Sequence, residues 1–231
     1  MIKKQRGVTL IELLIGMVLG LALISGLSQL FIQSQTSFKL QRNLSDMTDD
    51  AVFALEDLKS GLLLAGYSAD NNPVTNYIGS NNTNNDELFY SFKLGNSSQR
   101  NNSICLKGSS TNIGGTINVD IFIENSNDLS CVSGTATQPL IQNVEKLVFK
   151  YGIRNGTSPN YRFYYTDKTG AAGNWQNVFA VKVFLVMRSA DDNLVHNQTG
   201  YKIDGVQQLP VPTNNRLYKV FSKTIFLRAA P

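Results

Sequence analysis

Residues 1–32 read MIKKQRGVTLIELLIGMVLGLALISGLSQLFI, and this stretch decides the architecture. From Val8 to Ile32 there are 25 residues with one formal charge, Glu12. At about 1.5 Å of rise per residue, a helix of that length spans a bilayer. Lys3, Lys4 and Arg6 stand directly before it. A basic flank places the N-terminus in the cytoplasm and the rest of the chain outside. An ordinary secretory signal would close its apolar core with a small-residue cleavage site, and no A-x-A follows this run. The polar residues meet the apolar run at Arg6–Gly7 instead.

Beyond Ile32 the chain turns polar but keeps a helical rhythm. Leu40, Leu44, Met47, Ala51, Leu55, Leu58 and Leu62 recur at steps of three and four, which marks an amphipathic face. Asp46, Asp49, Asp50, Glu56 and Asp57 fall between them. Gly66 is a suitable C-terminal stop. One helix is expected from about residue 9 to about residue 65, on the order of 85 Å long. Its membrane half covers 8–32 and its amphipathic half 33–66.

The remainder, 67–231, reads as one β-rich globular head. Residues 71–102 are crowded with Asn and Ser and read as loop, with a short strand at Glu87–Leu94. Alternating stretches at Thr116–Glu124, Val144–Tyr151, Val178–Met187 and Tyr218–Leu227 read as strands. The expected fold class is α+β, a long helix packed on an antiparallel sheet.

The formal charge of +4 includes Lys3, Lys4 and Arg6. Without residues 1–7, 18 basic side chains face 17 acidic ones, so a general nucleic-acid binder is not indicated. The distribution is lopsided, however. Residues 8–139 carry a net −6 and residues 140–231 a net +7. Such asymmetry can steer the acidic part of one subunit toward the basic part of another; the alternative is an ordinary solvated surface. Cys105 and Cys131 in an exported chain suggest one disulfide, worth roughly 3 kcal/mol on the chain-entropy argument, or else two buried thiols.

No catalytic constellation emerges. His196 is the single histidine and reads as a surface loop residue. No phosphate loop, H-E-x-x-H or C-x-x-C is present. Asp191, Asp192 and Asn193 lack the spacing of a calcium loop and read as a polar turn. Trp175 reads as an aromatic at the edge of the core. No enzyme activity, cofactor or metal is expected.

Arg6-Gly7-Val8-Thr9-Leu10-Ile11-Glu12-Leu13 resembles the class III signal of type IV pilins and pseudopilins. The resemblance implies that a prepilin peptidase removes residues 1–7 by cutting between Gly7 and Val8, and that Val8 is N-methylated. The family usually has phenylalanine at that position. A carboxylate in an apolar helix costs about 3 kcal/mol on insertion scales, so Glu12 calls for a function and a partner. The resemblance supplies one, the N-terminal amine of a neighbouring subunit. Gly16 and Gly20 form a G-x-x-x-G pair that lets helices approach closely, although glycine also loosens a helix. Major pilins often carry a proline hereabouts; this chain has none before Pro73.

The stretches DLKSGLLLAGY, VEKLVFKYGI, WQNVFAVKVFLVMRS and RLYKVFSKTIFLRAAP resemble PilW-type minor pilins, with J-type minor pseudopilins close to them. The implied role is a minor pilin of the inner membrane, later of a cell-surface pilus, that helps prime assembly. The implied partners are other minor pilins, the major pilin, the inner-membrane assembly platform and a tip adhesin. The alternatives are a minor pseudopilin of type II secretion and a DNA- or ligand-binding tip module; nucleic acid is not expected as a partner.

Overall fold

The computed structural model describes residues 9–69, 74, 77–80, 87–95, 105, 115–124, 127–134, 136–156, 160–195, 200–208 and 215–228. The first element, α1, is one helix over Leu10–Leu62. The chain divides into two compact units inside this helix, Met1–Leu44 and Ser45–Pro231.

In the first unit α1 runs unbroken through Gly16, Gly20 and Gly26. Every large apolar side chain from Leu10 to Ile32 is exposed. The hydroxyls of Ser28 and Thr36 donate back to the carbonyls of Ile24 and Ile32, at 2.8 and 3.0 Å, so the helix satisfies its own polar side chains there.

In the second unit α1 turns Met47, Ala51, Ala54, Leu55, Leu58 and Leu62 into a core. These steps of three and four keep one helix face inward. The helix stops at Leu62 and a turn carries the chain to Gly66, whose φ of 76° is the left-handed conformation a helix exit favours. The Gly66 N–H then donates to the Ser91 carbonyl at 2.8 Å, which ties the exit to the strand beside it.

Where one sheet was expected, the described residues form two larger sheets and a separate hairpin. The first sheet is an antiparallel meander of β1 (Ile78–Gly79), β2 (Leu88–Lys93), β3 (Thr116–Ile123), β4 (Leu129–Ser133) and β5 (Ala136–Ile141), in chain order. The second contains β6 (Val144–Asn155), β7 (Arg162–Thr166), β8 (Val178–Arg188) and β11 (Tyr218–Phe226), all antiparallel, in the order β11-β8-β6-β7. Strands β9 (Tyr201–Ile203) and β10 (Val206–Gln208) make the hairpin, turning on Asp204 and Gly205, both with positive φ. A short helix α2 (Lys168–Ala171) and a 3₁₀ turn (Trp175–Asn177) link β7 to β8.

Strand β8 explains why two cores exist. Val181, Val183, Leu185 and Met187 point into the main core, where Met47, Ala51, Leu55 and Leu58 of α1 also lie. Phe184 and Val186 point the other way and join Ile203 and Tyr218 in a smaller cluster under the hairpin. A strand covered on both faces reads as a continuous apolar run, and VFLVM is such a run.

Two cross-links secure the second unit. Cys105 and Cys131 are joined, with their Cα atoms 5.7 Å apart. Lys223 of β11 binds Glu56 of α1 at 2.6 Å, and Lys59 approaches the same carboxylate at 3.2 Å. Asp57 Oδ2 stands 3.7 Å from Cys105 Sγ, a contact rather than a hydrogen bond, because a bridged sulfur has no proton to donate.

Candidate assembly site

Thr9 opens α1. Its carbonyl accepts the N–H groups of Glu12 and Leu13 at 3.1 and 3.2 Å, closing the first turn. Glu12 therefore sits in the first turn of the helix, where the partial positive charge of the free N–H groups favours a carboxylate. Its side chain is exposed.

Gly16 and Gly20 follow Glu12 at successive steps of four, so all three share one face. A Cβ placed at Gly16, Gly20 or Gly26 would meet nothing within 4 Å. The face is an open notch with a single acid at its head. Small residues along one face leave room for a second helix at close range. Sequence reading took the acid and the glycine pair separately; the four-residue period that aligns them was the signal to use. Gly7 and Val8, where cleavage is expected, lie outside the described residues.

The other singled-out residues fall elsewhere. Trp175 packs edge-on against Tyr151, ring centres 4.8 Å apart, at the rim of the main core. Asp191–Asn193 form part of a turn, with Asn193 at a φ of 56° and the Ser189 hydroxyl donating to the Asp191 carbonyl at 2.6 Å. His196 lies outside the described residues. Among the described residues no three of His, Cys, Asp and Glu converge as metal ligands would. Burial pushes the Tyr90 and Tyr151 hydroxyls well above the usual tyrosine pKa, which leaves both neutral members of the core.

Residues 123–229 match the family Type IV Pilus-assembly protein W, and residues 2–28 match the Prokaryotic N-terminal methylation motif. Among solved structures, a type IV-like pilin from Thermus thermophilus is similar over 80% of this chain and 98% of its own, with 14% sequence identity and a TM-score of 0.46. No curated protein matches the sequence. The methylation motif and the apolar helix support a membrane-anchored, pilin-like protein. Within that class, residues 123–229 are similar to the PilW type. These similarities point to a structural protein of pilin type.

Proposed function

We propose that this chain is a minor pilin, cut between Gly7 and Val8, methylated on Val8, and drawn from the inner membrane into a type IV pilus that it helps to prime. The observation that carries the reading is the exposed apolar face of α1 from Leu10 to Ile32, interrupted by Glu12 alone among formal charges. Such a surface has to be covered, first by lipid and then by other helices.

In the membrane the N-terminus faces the cytoplasm and the β-rich unit the periplasm. On entry to the filament, the Glu12 carboxylate pairs with the N-terminal amine of a neighbouring subunit and sets axial register. The Gly16–Gly20 notch lets the neighbour's helix close in. The partners are other minor pilins, the major pilin, the assembly platform and the prepilin peptidase, with an adhesin at the tip. The Cys105–Cys131 bridge keeps the exported unit folded in an oxidising compartment.

Mass spectrometry of the N-terminal peptide tests this in sheared filaments and in membranes. A peptide beginning at methylated Val8 in the sheared fraction is the expected result. The same peptide in membranes alone would favour a secretion pseudopilin, and an intact Met1 in both would sink the processing step. Glu12→Ala should leave the cleaved mass unchanged yet reduce the protein in sheared filaments. Wild-type amounts there would refute the charge pairing.

A further inference from the structure

Strand β6 alternates across the second sheet. Phe149, Tyr151 and Ile153 enter the main core, so Lys150, Gly152 and Arg154 lie on the opposite, outer face. One end of that face is covered by the β9–β10 hairpin, where Ile203 and Tyr201 pack with Phe184 and Tyr218. The other end carries Phe163 and Phe226, 61% and 62% exposed. Phe179 joins them, its ring centre 5.2 Å from Phe163 and 6.2 Å from Phe226. Gly152 forms the floor; a Cβ there would come within 3.1 Å of both Phe179 and Tyr165.

Cations run beside these rings. Arg154 stands opposite Phe163 in the β6–β7 ladder, and its guanidinium lies 4.9 Å over the Tyr161 ring. Lys150 lies four residues back, about 13 Å along the strand. It stands directly opposite Lys182 of β8, and like charges so placed repel. Asp204 of the hairpin binds Lys182 at 2.9 Å, whereas Lys150 and Arg154 make no ion pair among the described residues. The whole sheet lies within residues 140–231, the half of the chain with a net charge of +7. The balance of 18 basic to 17 acidic residues after Gly7 hides this concentration.

Exposed rings and cations on one face call for a partner that carries flat rings and repeated negative charge together. A bare polyanion leaves the rings uncovered, and a duplex keeps its bases stacked inside itself. We infer that the outer face of the second sheet binds single-stranded nucleic acid, with bases stacked on Phe163 and Phe226 and phosphates held by Lys150 and Arg154. Stacking of this kind tolerates any sequence, because every base has a π-face. The binding goes beyond the filament role and does not depend on cleavage at Gly7.

The full chain in nonionic detergent, titrated with fluorescein-labelled oligo(dT), tests it. A duplex of the same length, polyphosphate and phosphatidylglycerol vesicles are the comparison probes. Saturable binding to the oligonucleotide is expected, at least about tenfold tighter than to the duplex or to polyphosphate. Phe163→Ala with Phe226→Ala should weaken it roughly tenfold or more and leave its salt dependence unchanged. Lys150→Gln with Arg154→Gln should lower the slope of log affinity against log salt by about 1.4, two phosphates at roughly 0.7 each. Phe163→Trp with Phe226→Trp keeps the rings and should keep the affinity. Trp175 fluorescence checks that the alanine and glutamine variants are folded, and Lys3, Lys4 and Arg6 contribute equally to every variant. No oligonucleotide binding, equal affinity for polyphosphate or duplex, binding to vesicles alone, or alanine and glutamine variants that bind like wild type would each overturn the proposal.

Discussion

Leu23 and Leu58 lie on the same helix, yet one is 69% exposed and the other 1%. Nothing in local propensity separates them. What differs is the cover. From Met47 onward α1 packs on strands of its own chain, while among the described residues the apolar run before Phe38 has no such cover. The lesson is that one half of the helix stabilises the fold and the other half makes no such contribution.

The sharpest way to break that comparison is to truncate a leucine in each half. Leu58→Ala should cost about 2–5 kcal/mol, the usual range for emptying a packed site. Leu23→Ala should leave the unfolding of the β-rich unit unchanged. Denaturant titration of the full chain in detergent would show this by the fluorescence of Trp175, the sole tryptophan, which packs on Tyr151. Equal shifts from the two substitutions would mean that the first half contributes to the folding of the second unit after all.

Glycines on the two halves sharpen it further. A Cβ at Gly61 would collide with the Tyr90 hydroxyl and come 2.8 Å from its Cζ. Gly61→Ala should therefore cost about 1–3 kcal/mol by overpacking, despite alanine's better helix propensity. Tyr90→Phe should return part of it. Gly16→Ala meets nothing in the chain, so the same melt should not move. Its effect should appear in assembly, as less protein in sheared filaments, because the methyl group fills the notch below Glu12. Unchanged incorporation would show that no helix enters there.

Much of this was legible in the sequence. The helix was, within about a turn at its end, because the apolar period is unbroken and Gly66 stops it. Strands β2, β3, β6, β8 and β11 were legible because one face of each is buried, or both, as in β8. Strand β7 was not, since its side chains are mostly exposed on both faces and give no alternation. The β9–β10 hairpin was missed although Ile203-Asp204-Gly205-Val206 carries an Asp-Gly turn signal, because its strands have three residues each. Strand β4 was hidden by polar residues that the sheet nevertheless buries, Ser130 and Ser133, and β5 by the polar Thr137 and Gln138 and by Pro139. A single sheet was expected because sequence shows which residues alternate but not which strands pair. A ring cluster on the second sheet was invisible for the same reason: only the register of β6 with β7 and β8 brings Phe163, Tyr165 and Phe179 together over Gly152.

The smallest expected effects lie on the solvent side of α1, and they have opposite signs. Hydrogen bonds from Lys223 and then Lys59 hold the Glu56 carboxyl below its ordinary 4.5. The unfolded chain therefore takes up that proton more readily. The stability from Glu56 is complete above 4.5 and is lost as the pH falls through the lower folded value. Asp50 is the reverse, raised from 3.8 by partial burial and then by Asp46 and Asp49. Its folded form takes the proton more readily, so its penalty is present at neutral pH and disappears on acidification. Glu56→Gln should then lower the melting temperature near neutral pH and converge on wild type once the pH falls below the lowered folded value. Asp50→Asn should raise it near neutral pH and also converge. Both side chains are exposed enough that the shifts should be small and fade with salt. Salt sensitivity for Glu56→Gln alone would mean that burial, which salt does not screen, sets the Asp50 penalty rather than repulsion from Asp46 and Asp49.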